Sequence, residues 1–120
     1  MQRDMDLFRN ILLEVEKIPP DNPWPHIKIE GHSNEEVCYH VKLASDAGFV
    51  VAKFLPGTPE FAVERLTYAG HEFLDSARQD TLWAKAKDAV YKATGTLTID
   101  GLKVALGALI HQAIKGQLGQ

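Results

Sequence analysis

A chain of 120 residues holds one domain of ordinary size, and a composition of 45% apolar and 24% charged residues supports a real core and excludes a disordered chain. The formal net charge of -3 at pH 7 runs against the basic surplus of most nucleic-acid binders, although it leaves room for a local basic patch. A single cysteine, Cys38, excludes an intrachain disulfide. Acids at Asp4 and Asp6 and the lack of an apolar run of roughly 18 residues argue against a signal peptide and a spanning helix, so a soluble, cytoplasmic protein without a membrane role is expected.

Residues Asp4 to Lys17 predict the first helix. Met5, Phe8, Ile11, Leu12 and Val15 recur at helical spacing, and Asp4 and Asp6 suit the positive end of its dipole. Pro19 and Pro20 stop it. Ile18 to Pro25 reads as a rigid connection containing four prolines, with Trp24 plugging the edge of the core. His26-Ile27-Lys28-Ile29-Glu30 then alternates polar and apolar residues, the pattern of a short half-buried strand that Gly31 ends.

Ser33-Asn34-Glu35-Glu36 has the capping-box pattern, with serine at the cap and glutamate three residues on. It opens a helix to about Ala47, with Val37, Val41 and Ala44 inside and His40 and Leu43 flanking. Gly48 is placed as its left-handed terminator. Phe49 to Phe54 and Glu60 to Leu66 read as two strands joined by the turn Leu55-Pro56-Gly57-Thr58-Pro59, with Phe61, Val63 and Arg65 placed together on one face. Thr67 caps the next helix, with Phe73, Leu74 and Ala77 inside. Asp80 reads as the cap of Thr81 to Ala93, Gly95 as its break, and Thr98 as the cap of a last helix from Ile99 to about Gly116.

This order of helix, short strand, helix and hairpin, followed by helices, predicts an α+β, mostly helical chain with a winged-helix-like core. Residues 1–95 are assigned to the core and its following helices, and residues 96–120 to a C-terminal helix packing on the domain or on a dimer partner.

The run His40-Val41-Lys42-Leu43-Ala44-Ser45-Asp46-Ala47-Gly48-Phe49-Val50 resembles the recognition-helix ending of winged-helix regulators. Arg65-Leu66-Thr67-Tyr68-Ala69-Gly70 resembles the Leu-Thr-x-x-Gly step that leads such domains into their next helix. Over nearly its whole length the chain is similar to an uncharacterised bacterial and prophage family, domain of unknown function 2513. The matching stretches are Arg3 to Leu7 with Ile11 to Leu13, Ile29 to Gly31 with Tyr39-His40, Leu66 to Asp75 with Arg78, and Gln117 to Gly119. The resemblance implies a winged-helix-like fold and an association with mobile elements, and it transfers no activity or functional residue. One departure stands out: Pro19 to Glu30 leaves little room for the short helix that precedes a recognition helix.

The exposed side of the second main helix is expected to show Asn34, Glu35, Cys38, Tyr39 and Lys42. Asn34, Tyr39, Lys42 and, on the hairpin, Lys53 are the candidate contacts to DNA or a partner. Against DNA, Lys28 to Arg65 carries four basic residues and six acids, and Glu35 and Glu36 stand in the first turn, where phosphates would approach. A basic set in the C-terminal half, Arg78, Lys85, Lys87, Lys92, Lys103 and Lys115, could contact phosphates or could be a solvated surface.

The five histidines are scattered, without metal-ligand spacing, so no metal or cofactor is expected. His71 and Asp75 share a helix face, but neither a nucleophile nor a metal accompanies them, and no enzyme is expected. The broad apolar set of the last helix, including Leu102, Leu106, Leu109 and Ile110, suits a homodimer or packing within the chain. Two functions remain open: a non-enzymatic winged-helix regulatory domain acting on DNA or within a nucleic-acid-bound complex, and an acidic protein-interaction module such as a phage protein that inhibits a host component.

Overall fold

The computed structural model describes residues 1–22 and 24–119. Five helices and one two-stranded sheet follow in the order α1 (Met5–Glu16), α2 (Asn34–Asp46), β1 (Val50–Phe54), β2 (Phe61–Leu66), α3 (Tyr68–Ala77), α4 (Asp80–Thr94) and α5 (Ile99–Gln117). The fold is α+β and mostly helical. Two compact units divide the chain, Met1–Leu74 and Asp75–Gln120. The division expected after residue 95 falls instead inside the second unit, between α4 and α5, two helices that pack on each other.

In the first unit, α1 packs on α2 and on β2, and α2 packs on β1. Asp4 caps α1, its carboxylate accepting from the N–H groups of Asp6 and Leu7. The predicted stripe of Met5, Phe8, Ile11, Leu12 and Val15 is buried, together with Leu7. Three rings meet at the centre. Phe49 stacks on Phe73 at 5.1 Å between centroids, and Phe8 meets both edge-on, at 6.0 Å from Phe49 and 6.2 Å from Phe73.

The step into α3 is a backbone clasp. Thr67 donates its N–H to the Phe49 carbonyl at 2.9 Å and its hydroxyl to the Gly48 carbonyl, while its Oγ accepts from the N–H of Gly70 at 3.0 Å. Gly70 is buried against Phe49, and a Cβ added there would stand 2.1 Å from the Phe49 carbonyl oxygen. The Leu-Thr-x-x-Gly step is therefore a packing requirement. Threonine supplies a donor and an acceptor, and only glycine admits the carbonyl.

β1 and β2 pair antiparallel, Phe54 with Phe61 at the turn end and Val50 with Leu66 at the far end. The register slips between Val51 and Ala52, which leaves Glu64 as an extra residue on β2. The bulge corrects the predicted alternation: Phe61 and Val63 point inward, but so does Leu66, and Arg65 is exposed.

The strand predicted at His26–Glu30 does not form. Pro25 has no N–H to contribute to a ladder, and Trp24 stands at φ 73. Among the described residues one backbone hydrogen bond ties this segment to the sheet, from the Trp24 N–H to the Val63 carbonyl at 2.9 Å. Ile27 alone is buried, so the segment is a strap rather than a strand. Pro23, one of the four connecting prolines, lies outside the described residues. No helix occurs among the described residues between Glu16 and Asn34.

In the second unit, α4 begins at Asp80, so its cap is Gln79, whose side chain makes no capping bond, and not Asp80 as predicted. Gly95 at φ 78 ends α4, and the Thr98 hydroxyl caps α5 through the Gly101 N–H. Gly101 lets the two helices close up, since a Cβ there would stand 2.9 Å from a Val90 methyl carbon. No described helix is long and apolar enough to cross a membrane.

Candidate functional site

Helix α2 and the β1–β2 turn form one continuous face of the first unit. The capping box sets where α2 starts: the Glu36 N–H donates to Ser33 Oγ at 3.1 Å, and the Ser33 N–H donates to Glu36 Oε1 at 3.1 Å. That backbone bond, reinforced by His32 Nδ1 at 3.4 Å, holds the Glu36 carboxyl below its ordinary value of 4.5. A depressed carboxyl stabilises the folded chain fully above its unfolded value, and the contribution disappears as pH falls through the lower folded one. Glu36→Gln should therefore cost stability near pH 7 and little near pH 3. Urea midpoints of both chains across that range check this, and a difference constant with pH would contradict it.

His40 anchors α2 to the start of α1. It is buried, its Nε2 accepts from the Asp4 N–H at 2.8 Å, and its Nδ1–H donates to the Glu36 carbonyl at 2.8 Å. Both contacts are met by the neutral Nδ1–H tautomer. His40 is thus structural, held by two hydrogen bonds.

The predicted contact residues are only partly brought together. Asn34 donates its amide to the Pro59 carbonyl at 3.0 Å, tying the turn to the first turn of α2. Tyr39 is half-buried and meets the His40 ring edge-on at 5.4 Å. Lys42 is exposed, with Nζ 5.6 Å from the Phe54 ring centroid. Lys53 lies on the other side of the hairpin, because successive strand residues point to opposite faces; its Nζ stands 4.5 Å from the Trp24 ring centroid. Cys38, expected on the surface, is 4% exposed, and its burial pushes the thiol up, which keeps it protonated.

Charge divides with the units. Met1–Leu74 carries 7 Lys and Arg against 12 Asp and Glu, a formal -5, whereas Asp75–Gln120 carries 6 against 4, a formal +2. The α2–hairpin face belongs to the acidic unit.

The other predicted sites take different forms. Asp75 pairs with Arg78 at 2.7 Å, while His71 is exposed. Among the described residues no three His, Cys, Asp or Glu side chains are placed to hold a metal. Leu102 and Leu106 are fully buried within the chain and belong to the core of its second unit. Leu109 and Ile110 are half-buried. Val104 and Ile114 on α5 and Leu118 at its C-cap are the exposed large aliphatic side chains of this end; Ile114 belongs to the apolar set expected of this helix, and Val104 and Leu118 lie outside it. Ile110, Ile114 and Leu118 line an apolar groove with Leu82.

By class, then, this is an α+β, mostly helical chain whose first unit presents an acidic helix–hairpin face. It belongs to the family of hypothetical proteins DUF2513, which matches residues 2–96 and so ends between α4 and α5. An uncharacterized protein of Haemophilus influenzae (strain ATCC 51907 / DSM 11121 / KW20 / Rd) is 32% identical over 123 residues, covering 95% of this chain and 99% of that protein. No solved structure matches the chain.

Proposed function

We propose that this chain is a non-enzymatic, winged-helix-type regulatory module that binds a protein partner through the acidic α2–hairpin face of its first unit, on its own or within a nucleic-acid-bound complex. The observation carrying this reading is the state of the recognition position. Its leading turn presents Glu35 and Glu36, its asparagine is engaged with Pro59, and its two lysines point to opposite sides of the hairpin. A surface that reads DNA gathers cations and free amide groups at this place. A face of net negative charge is complementary to a basic protein surface, where such charge steers association and selects partners. The order of α1, the strap, α2 and the hairpin supports the winged-helix assignment, and among the described residues no short helix precedes α2, which removes part of the usual DNA-docking geometry.

Fluorescence anisotropy with a labelled duplex across a salt series tests the reading. The expected result is no saturable binding at low salt. Tight binding that falls steeply with salt, and that Lys42→Glu with Lys53→Glu abolishes, would establish the DNA-binding alternative instead.

A further inference from the structure

The strap and β2 leave a groove of about 1050 Å³ between them at the turn end of the hairpin. Trp24, His26 and Phe61 supply aromatic surface, Glu30 and Glu60 supply carboxylates, and Lys28 is the ammonium among the lining residues. The His26 and Phe61 rings stand 5.0 Å apart.

Part of the described backbone on each side of this groove is unpaired: Phe61 on β2, and His26, Ile27 and Lys28 on the strap. In an antiparallel ladder, residues alternate between directing their N–H and C=O at the partner strand and directing them away. The Val63 carbonyl reaches outward to Trp24, so Phe61, two residues earlier on the same strand, also turns its N–H and C=O to the outer edge, away from β1. Across the groove, no hydrogen bond among the described residues reaches the backbone of His26, Ile27 or Lys28, although this run has the alternation of a strand. An edge with unpaired main-chain groups is a template for pairing with another extended segment.

We infer that this groove is a strand-addition site for an extended, lysine- or arginine-bearing segment of a protein partner. Three observations select that occupant. The free groups of Phe61 call for main-chain pairing, which an extended peptide supplies. The groove carries two carboxylates within a unit of net charge -5. The Trp24 ring already accepts a cation, the exposed Lys53 Nζ at 4.5 Å, which a guanidinium or ammonium of the partner can replace. Trp24 stands in the left-handed region, at φ 73, where a bulky side chain is strained, and its N–H is bonded to the Val63 carbonyl. This inference rests on the protein-binding function proposed above and names the partner's chemistry.

The test uses the full chain and two fluorescein-labelled octapeptides, (Lys-Val)4 and (Glu-Val)4, with a labelled DNA duplex in a parallel titration. The lysine peptide is expected to bind at least ten-fold more tightly than the glutamate peptide. The double change Glu30→Lys and Glu60→Lys should weaken it at least ten-fold, whereas Glu72→Lys, an exposed acid of α3 outside the groove, should alter it less than two-fold. Hydrogen exchange at the Phe61 amide should slow at least ten-fold in the complex. Equal losses from the groove and Glu72 variants, or an unprotected Phe61 amide, overturn the groove assignment. If neither peptide nor duplex binds, the groove inference alone fails; if the duplex binds with a steep salt dependence, the underlying protein-binding function fails with it.

Discussion

Gly70→Ala is expected to destabilise the chain by about 3 kcal/mol or more. The added methyl would lie 2.1 Å from the carbonyl oxygen of Phe49 and 3.0 Å from its carbonyl carbon. Both atoms are backbone, so no rotamer change relieves the contact. The same carbonyl accepts the Thr67 N–H, and moving it breaks the clasp that starts α3. Gly107→Ala is the internal control. Gly107 is helical and exposed with no atom within 4 Å of the added Cβ, so alanine there should stabilise by about 0.5–1 kcal/mol through helix propensity. Urea unfolding followed by circular dichroism measures both, and a Gly70→Ala midpoint within about 1 kcal/mol of the parent would refute the clasp.

Phe8→Ala should cost about 3–5 kcal/mol, the usual range for removing a ring from a packed core. Phe8 is 1% exposed and is the edge-on neighbour of both Phe49 and Phe73, so its loss leaves a void bordered by α1, the start of β1 and α3. Phe8→Leu refills much of that volume and should cost markedly less. A loss under about 1.5 kcal/mol for the alanine variant would mean that the three rings are not the centre of the first unit.

Much of the fold was legible because its signals are local. Asp4, Ser33 and Thr98 cap helices by hydrogen bonds that span two or three residues, and Gly48 and Gly95 take the positive φ expected of helix terminators. Features that depend on distant chain segments were not legible. His26–Glu30 has the alternation of a strand, but pairing needs matching N–H groups, and Pro25 and the turn of Trp24 spoil the match to β2. The bulge at Glu64 reverses the face of Arg65, and nothing in the alternation of β2 marks it.

The site was legible in residue type and less so in placement. Asn34, Tyr39 and Lys42 do lie on α2, but what each touches depends on the hairpin, which closes on α2 through Pro59 and buries Cys38. Lys53 was grouped with them by charge and is separated from them by strand parity. Leu102 and Leu106 were legible as apolar, whereas their assignment to core rather than surface required the position of α4.

The proposed function turns on whether the α2–hairpin face engages nucleic acid. Amide chemical shifts of the 15N-labelled chain, recorded with and without a duplex at low salt, address this residue by residue. The expected result is that Glu35, Tyr39, Lys42 and Lys53 stay unshifted at a several-fold excess of DNA. Progressive shifts clustered on α2 and the hairpin would contradict it and assign this face to DNA.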